Sequence, residues 1–419
     1  MIKNICIVED EKFENLLPLV YMRPVYDLRC GILTIKEKIL NSFPSANIFL
    51  HCRKYLEEKV KESNKNLSVN DLGNIDSCLF VNGRVLLNTK TISMIFKKGD
   101  ALYYSGDTFA AAKLSGIHFE KIKANFHNVI TSSLFDGIKK TECDSTVINY
   151  PWDLAANNGE QIVEDFVFHK AERKNIKGKI YDGAVLINEK NIIIGEDSVI
   201  KPGVVIDASE GPVYIGENVE IMPNAVIIGP CFIGNNSKIK ISAKIYENTS
   251  IGEYCKVGGE VENSIIHSFA NKQHDGFLGH SYISPWCNLG ADTNNSDLKN
   301  NYGNIKVVIN DKLIDSGNMF VGLTMGDHSK TSINTMFNTG TVCGVAANIF
   351  GSGFPPKYVP SFAWGGSDSM TTYKLENGIE VAKKVMARRN VQFTETDKNL
   401  LTAVFDLTKE ERKRRDMPD

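Results

Sequence analysis

Residues 213–258 read VYIGENVEIMPNAVIIGPCFIGNNSKIKISAKIYENTSIGEYCKVG, and an aliphatic residue returns at every sixth position of this stretch. Six is neither the period of a helix nor that of a strand, so each repeat needs a short extended segment followed by a corner. A shorter series precedes this one and is put out of step by a three-residue insertion near Ser209. The long series comprises Ile215, Ile221, Ile227, Ile233, Ile239, Ile245, Ile251 and Val257, and the short series comprises Ile194, Ile200 and Ile206.

Three such segments close one triangular coil, in which the aliphatic residues stack along the axis about 4.8 Å apart. Glycine directly after the aliphatic residue, as at Gly216, Gly234 and Gly252, suits the tight corner because it lacks a Cβ atom. A β-sandwich is the alternative, but it would show alternation broken by turns about every eight to twelve residues. The repeat therefore predicts a left-handed parallel β-helix over residues 179–365.

The flanking segments have other patterns. Residues 1–146 alternate buried strands with amphipathic helices, which indicates a Rossmann-like α/β domain with a doubly wound sheet. Residues 147–178 are expected to hold a linker helix, and residues 366–419 are expected to form a helical tail. The tail carries a run of charges over residues 409–415, which is typical of a solvated helix end, with a role in binding as the alternative.

Composition limits the kinds of partner. The chain has 419 residues, with 48 Lys and Arg against 50 Asp and Glu and a formal net charge of -2, a balance that argues against nucleic acid as a partner. No apolar run approaches the length needed to cross a membrane. Nine cysteines are scattered without a CxxC pair, which suits a reducing cytoplasm. Small molecules are therefore the expected partners.

The six-residue step breaks where polar residues gather. The first break carries His267, Lys272 and His274, after which the step is expected to resume at Phe277. An asparagine-rich excursion over residues 291–304 forms a second break. Because loops that leave a stacked coil often carry functional residues, these breaks indicate where a functional site lies.

The sequence at these breaks resembles an acetyltransferase motif. Residues 271–280 read NKQHDGFLGH, residues 286–293 read WCNLGADT and residues 296–303 read SDLKNNYG. These strings are similar to those of the bifunctional N-acetylglucosamine-1-phosphate uridylyltransferase / glucosamine-1-phosphate acetyltransferase enzymes, and more closely to their divergent Bacteroides-type branch. The resemblance extends over residues 180–365, and the family's order of nucleotidyltransferase domain, linker helix and coil fits the whole chain.

The resemblance implies acetyl transfer from acetyl-CoA to an amino-sugar phosphate such as glucosamine 1-phosphate. It also implies a homotrimer whose donor groove lies between subunits. His274 would be the catalytic base that takes a proton from the attacking amine, although a histidine that bonds a loop carbonyl is the alternative. The donor candidates are Gly290, Ala291, Gly322 and Leu323, of which the first two would also offer N–H groups to the oxyanion. The substrate candidates are Lys244, Tyr246, Lys272, Phe277, Asn288, Tyr302 and Lys306. For each lysine among them, the alternative is an ordinary surface residue that binds no substrate.

Two departures separate the coil from the family's usual pattern. The arginine and the lysine that the family carries upstream of the base have no counterpart near Tyr246 and Asn263, so the acceptor could differ from glucosamine 1-phosphate. Phe277 stands where a tyrosine is usual, which removes a hydroxyl from the site.

The N-terminal domain departs further. The family cradles a triphosphate in a glycine-rich loop, yet no glycine occurs before Gly31. Asn82-Gly83-Arg84 stands where a magnesium-binding Gly-Asp pair is expected, and an arginine cannot ligate Mg²⁺. Binding of UTP and Mg²⁺ would therefore depend on a small set of residues, Arg23, Arg29, Asn82 and Gly83.

Other functions are open at this stage. Sugar-1-phosphate nucleotidyl transfer that makes UDP-N-acetylglucosamine could be the main activity, or the chain could be a non-catalytic sugar-nucleotide-binding scaffold. A zinc hydratase is a further alternative, because some hexapeptide coils carry three histidines and His267, His274 and His280 are available. The match to the acetyltransferase motif is much longer than this set of three histidines, so it favours acetyl transfer. No residue is then expected to bind a metal.

Overall fold

The chain divides into an N-terminal unit and a C-terminal unit. The computed structural model describes residues 2–97, 99–126, 129–170 and 175–417. The N-terminal unit comprises Met1–Leu16, Met22–Leu28 and Leu33–Tyr150, and the C-terminal unit comprises Leu17–Tyr21, Arg29–Ile32 and Pro151–Asp419. Two short early segments thus belong to the C-terminal unit, which no sequence pattern indicated.

The N-terminal unit contains nine strands and four α-helices among the described residues. The strands are β1 (Asn4–Val8), β2 (Asn47–Leu50), β3 (Ser68–Val69), β4 (Ser77–Asn82), β5 (Val85–Leu86), β6 (Ala101–Ser105), β7 (Thr108–Ser115), β8 (Lys140–Glu142) and β9 (Thr146–Val147). The helices are α1 (Ile35–Ser42), α2 (Glu57–Ser63), α3 (Thr89–Ile95) and α4 (Gly116–Ala124).

Seven of these strands form one sheet in the order β3-β2-β1-β4-β7-β6-β8. Strands β1 to β4 are parallel, whereas β7 is antiparallel to both β4 and β6. The apolar run Ile5–Val8 is buried throughout, as expected for a central parallel strand covered on both faces. The predicted α/β class is confirmed, with a mixed sheet.

The C-terminal unit contains three parallel sheets, which form the faces of a β-helix. The first face holds Lys179–Ile180, Val199–Ile200, Glu220–Ile221, Lys238–Ile239, Lys256–Val257 and Asn271–Lys272, and continues through Asn288 to Lys330–Thr331, Asn348–Ile349, Ala363–Gly365 and the antiparallel Met370–Thr372. The second face holds Val185–Ile187, Val205–Asp207, Val226–Ile228, Lys244–Ile245, Glu260–Glu262 and Phe277–Gly279, followed by the pair Asn294–Asn295 and Met336–Phe337. The third face holds Ile192–Ile194, Val213–Ile215, Cys231–Ile233, Thr249–Ile251, Ile265–Ile266, Tyr282–Ile283, Thr324–Met325, Val342–Cys343 and Tyr358–Val359.

The aliphatic series forms the core of this β-helix. Ile221, Ile239 and Val257 are aligned on neighbouring coils of the first face, and all three are completely buried. Each such side chain contributes about 1.5–3 kcal/mol through removal from water. The predicted stacking is confirmed.

The register departs from the predicted step at two positions. Leu278, not Phe277, is aligned with Val261 and lies in the core, so the step does not resume at Phe277. Lys272 is aligned with Val257 and therefore occupies an inward position of the first face.

Among the described residues, the C-terminal unit also contains four α-helices and a hairpin that leaves the coil. The helices are α5 (Pro151–Lys170), α6 (Leu375–Ala387), α7 (Glu395–Leu407) and α8 (Lys409–Lys413), and the hairpin pairs Lys306–Ile309 with Lys312–Asp315. In α7 the Thr394 hydroxyl and the Asp397 carboxylate form a capping box, which fixes where the helix begins. Across the described residues of both units, no helix combines the length and the apolar character that a membrane span requires.

The charge run in the tail is not a plain solvated helix end. Arg412 is fully buried, and its guanidinium lies 3.9 Å from the ring centroid of Phe405. Arg414 and Arg415 both bind the carboxylate of Asp311 at 2.5 Å. The expectation of full solvation was therefore wrong, because this run fastens the hairpin to the end of the chain.

Candidate functional site

His274 lies at the corner between the first and second faces of the β-helix. It follows the strand Asn271–Lys272, precedes the strand Phe277–Gly279 and is exposed. Among the described residues, none bonds to the imidazole ring, so the alternative of a histidine that bonds a loop carbonyl is not observed. Both ring nitrogens are open to a ligand.

Lys272 points into the β-helix below this corner. Its Nζ donates hydrogen bonds to the carbonyl of His274 at 2.9 Å and to the carbonyl of Gly258 at 3.2 Å. Burial lowers the pKa of its ammonium to about 8. The buried amine thus fixes the backbone of the corner, and the role of Lys272 as a substrate ligand stays a prediction.

The Lys272→Met variant should change how stability depends on pH. The folded chain releases the Lys272 proton near pH 8, whereas the unfolded chain holds it to about pH 10.4. Between pH 7 and pH 10 the unfolded state binds more protons than the folded state. The free energy of unfolding of the wild type should therefore rise by about 2–3 kcal/mol relative to that of the variant over this range. Urea unfolding of both proteins at several pH values measures this difference, and a constant difference would contradict the buried position.

The second face carries three of the predicted substrate residues on its outer surface. Lys244, Glu260 and Phe277 are aligned on successive coils, and Tyr246 follows the inward Ile245. The Lys244 ammonium lies 3.4 Å from the Glu260 carboxylate. This surface is thus continuous with the His274 corner, and one of its lysines already faces a carboxylate.

A mixed acid–imidazole cluster lies at the other edge of the second face. Potential ligand atoms of Glu262, His280 and Asp297 all lie within 4.8 Å of one another. The His280 Nδ1 atom is 2.8 Å from an Asp297 carboxylate oxygen, and the Phe320 ring stacks on the imidazole at 4.9 Å. Neither carboxylate was among the predicted site residues, and only the register of the strands places Glu262 beside Gly279.

The donor candidates separate into two corners. Gly290 and Ala291 lie next to the His274 corner, since the N–H of the following Asp292 donates to the carbonyl of Asp275. Gly322 and Leu323 instead donate their N–H groups to the His280 carbonyl and the Ser281 hydroxyl, at 2.9 and 2.8 Å. The sequence grouped four residues that the coil places at different corners.

The two N–H groups near His274 differ in availability. The Gly290 N–H already donates to the hydroxyl of Thr331 at 2.9 Å, and its role toward an oxyanion stays a prediction. In the described part of the chain, nothing accepts a hydrogen bond from the Ala291 N–H. Ala291 is therefore the remaining backbone donor of the predicted pair.

Three further candidates lie on separate elements. Asn288 is half-buried on the first face, where it bridges Asn271 and Lys330. Tyr302 and Lys306 are exposed and belong to the excursion that leaves the coil, with Lys306 at the start of the hairpin. The coil therefore brings Asn288, but neither of the other two, into the same stack as the His274 corner.

A basic cavity of about 290 Å³ adjoins this corner on the first face. The Lys256 pKa is lowered by burial and by the neighbouring charge of Arg389, and burial also lowers the pKa of Arg389 and of Lys330. No carboxylate lines the cavity among the described residues, so its positive charge is uncompensated. It is lined by residues of the coil and of α6 and its C-terminal end: Lys256, Asn271, Gln273, Trp286, Asn288, Lys330, Val385, Arg388 and Arg389.

The carboxylates that follow β1 in the N-terminal unit are held in buried ion pairs. Arg53 pairs with Glu9 at 3.1 Å, and Arg84 pairs with Asp10 at 2.6 Å. The segment 9–16 holds no glycine-rich loop and includes a 3-10 helix at Glu11–Leu16. Because both carboxylates are already neutralised, these residues do not fit Mg²⁺.

The four predicted nucleotide ligands have structural partners. Asn82 is buried and donates to the Asp10 carboxylate at 2.9 Å, while the Gly83 N–H donates to the Val8 carbonyl. The carbonyl of Arg23 accepts a hydrogen bond from Arg53 at 2.9 Å. The side chain of Arg29 is buried against Glu253 at 2.8 Å. In this structure Arg29, Asn82 and Gly83 are thus engaged by other groups of the protein, and their roles toward phosphate stay predictions.

Comparison with known proteins gives a family match and several named relatives. Residues 5–174 match the family described as sugar nucleotidyl transferase. The bifunctional protein GlmU of Methanococcus aeolicus is 28% identical over 239 residues, which cover 57% of this chain and 47% of that protein. The bifunctional sugar-1-phosphate nucleotidylyltransferase/acetyltransferase of Sulfurisphaera tokodaii is 29% identical over 211 residues, which cover 48% and 44%.

A solved structure shares a limited likeness with the chain. The UDP-N-acetylglucosamine acyltransferase of Francisella novicida is 18% identical, with a TM-score of 0.31, and the match covers 57% of this chain and 84% of that chain. The chain spans about half the length of the first two curated relatives it matches. Residues 5–174 are thus similar to the sugar nucleotidyl transferase family, and part of the chain is similar to the GlmU-type bifunctional proteins.

Proposed function

We propose that this protein is an acetyl-CoA-dependent N-acetyltransferase that acts on an amino-sugar phosphate, with His274 as the catalytic base. The observation that carries the proposal is the exposed, unbonded imidazole at a corner whose backbone is fixed by the buried Lys272 amine. A relative named as an acetyltransferase, at 29% identity, supports the same chemistry.

The proposed reaction is a direct transfer. The imidazole of His274 accepts a proton from the acceptor amine as its nitrogen attacks the thioester carbonyl. The N–H of Ala291 is the candidate donor to the oxyanion of the tetrahedral intermediate. The carbon–sulfur bond then breaks, and the imidazolium returns a proton to the departing thiolate, so the base is restored.

Thiol release tests this function. The protein is mixed with acetyl-CoA, a thiol reagent and, in separate reactions, glucosamine 1-phosphate and other amino-sugar phosphates. We expect release that depends on one of these acceptors. The missing arginine and lysine near Tyr246 and Asn263 make the comparison of acceptors informative. If no amino-sugar phosphate gave thiol release, the proposal would be rejected.

We propose that the basic cavity binds the phosphate groups of the donor, acetyl-CoA. Lys256, Lys330 and Arg388 supply charge without a carboxylate, and Trp286 supplies an aromatic surface next to them. Phosphate groups are the ligands that such a lysine and arginine cluster favours. Gln273 lines the cavity next to the proposed base, which connects donor and reaction centre along the chain.

The Arg388→Ala variant should raise KM for acetyl-CoA about tenfold, which corresponds to the loss of about 1.4 kcal/mol of binding energy. The value of kcat should change little, because the cavity holds phosphates and does not touch the reacting atoms. Steady-state kinetics with varied acetyl-CoA measures both constants. Lys383→Ala, an exposed change on α6 outside the cavity, is the matched control. Equal KM values for the two variants would contradict the assignment.

We also propose a homotrimer in the cytoplasm. A trimer follows from the donor groove that the resemblance implies, and light scattering should give three times the chain mass of 46.6 kDa. A monomer at assay concentration would contradict it. The cytoplasmic location is supported by nine cysteines that are scattered along the sequence without a CxxC pair.

Sugar-1-phosphate nucleotidyl transfer is the second candidate, favoured by the family match of residues 5–174. With UTP as donor it would complete the route to UDP-N-acetylglucosamine. The ion pairs of Glu9 and Asp10 require any such activity to use other groups for the metal and the triphosphate. Release of pyrophosphate from UTP that depends on a sugar 1-phosphate would establish this candidate, and its absence would leave acetyl transfer alone.

A further inference from the structure

Glu262, His280 and Asp297 offer a metal ion one ring nitrogen and two carboxylates. The three residues come from the strand Glu260–Glu262, from the corner after Gly279 and from the start of the excursion. Their potential ligand atoms lie within 4.8 Å of one another. Imidazole with carboxylate oxygens is a donor set that Zn²⁺ and Mn²⁺ accept.

Negative charge in this cluster is not balanced by the protein. Over the described ranges, no hydrogen bond or ion pair reaches the Glu262 carboxylate. Lys244, on the preceding coil, already faces Glu260. A divalent cation would balance the negative charge of the two carboxylates, which face one imidazole among the described residues.

The backbone around the cluster is built for close approach. A Cβ atom at Gly279 would meet the Asp297 carboxylate at 2.3 Å, so only glycine lets this carboxylate reach the coil. The Asn295 side chain accepts from the Gly279 N–H and donates to its carbonyl, both at 3.0 Å. The Phe320 ring covers the imidazole of His280. These contacts hold the His280 side chain and the Gly279 backbone in place, and His280 in turn bonds to the Asp297 carboxylate.

We propose that Glu262, His280 and Asp297 bind one divalent transition-metal ion of the Zn²⁺ or Mn²⁺ class. The ion fastens the start of the excursion, at Asp297, to the coil. This site is separate from the His274 corner and takes no part in the proposed acetyl transfer.

Calorimetric titration of the full chain, stripped with a chelator and then given ZnCl₂ or MnCl₂, tests the site. We expect one site per chain with at least one of the two ions, and a midpoint of thermal unfolding that rises when the ion is added. The Glu262→Gln variant should bind at least tenfold more weakly. Its metal-free form should be as stable as the wild type, because the Glu262 carboxylate has no partner among the described residues.

Glu260→Gln is the matched control, since this outward carboxylate lies two residues earlier on the same strand. It should bind the ion as the wild type does. His280→Gln should lose binding as Glu262→Gln does, and circular dichroism reports whether it is folded. No binding by the wild type, or equal affinity in wild type and Glu262→Gln, would overturn the proposal. Neither outcome bears on acetyl transfer, which the titration does not use.

Discussion

The His274→Ala variant should lower kcat for acetyl transfer by about 100- to 10,000-fold, the usual contribution of a positioned general base. The amine must lose a proton as it attacks the thioester, and no other imidazole lies at this corner among the described residues. The values of KM should change little, because the side chain acts on the reacting nitrogen and the donor phosphates lie in the basic cavity.

Steady-state kinetics on wild type and variant measures this effect, with circular dichroism to verify the fold. His118→Ala is the matched control: it removes a partly exposed histidine of the N-terminal unit, where Asp100 is its partner at 3.2 Å. The control should keep the wild-type rate. Equal rates in wild type and His274→Ala would remove His274 from the mechanism.

The Ile239→Asp variant should fail to form a stable β-helix. Ile239 is fully buried and aligned with Ile221 and Val257 on the neighbouring coils. An aspartate there places a carboxylate without a partner in an apolar column, a change of the class that costs more than about 4 kcal/mol. The expected result is loss of the cooperative urea transition and of the strand signal in circular dichroism.

Ile241→Asp is a matched control on the same turn of the chain. Ile241 is 58% exposed, so its replacement should change the free energy of unfolding by less than about 0.5 kcal/mol. Ile239→Val, which removes one methylene, should cost about 1 kcal/mol. A similar stability for the two aspartate variants would contradict the inward position of Ile239.

The period of six was sufficient to predict the β-helix but not the register through its first break. From Val257 the inward positions are Val261 and then Ile266, steps of four and five residues instead of six. Counting from Ile265 in steps of six leads to Phe277, whereas counting from the true inward residue Ile266 leads to Lys272 and Leu278. Short corners are set by backbone geometry, so spacing alone could not reveal that a lysine would occupy the core.

The site was predictable only where it is local in sequence. The motif around His274 names residues that one corner brings together. The basic cavity combines Lys256, Lys330 and Arg388, which come from separate coils and from the tail, so only the packing of α6 reveals it. The partner of Arg29 was unpredictable for the same reason, because the carboxylate of Glu253 lies 224 residues away.

The central claim is that the His274 corner moves an acetyl group from acetyl-CoA to an amino sugar. A single-turnover reaction with isotopically labelled acetyl-CoA and each amino-sugar phosphate of the thiol-release assay, followed by mass spectrometry of the sugar, tests it most directly. The account predicts label in the N-acetylated sugar with the wild type and at least a hundredfold slower labelling with His274→Ala. An unlabelled sugar with the wild type, or the same labelling rate with both proteins, would contradict it.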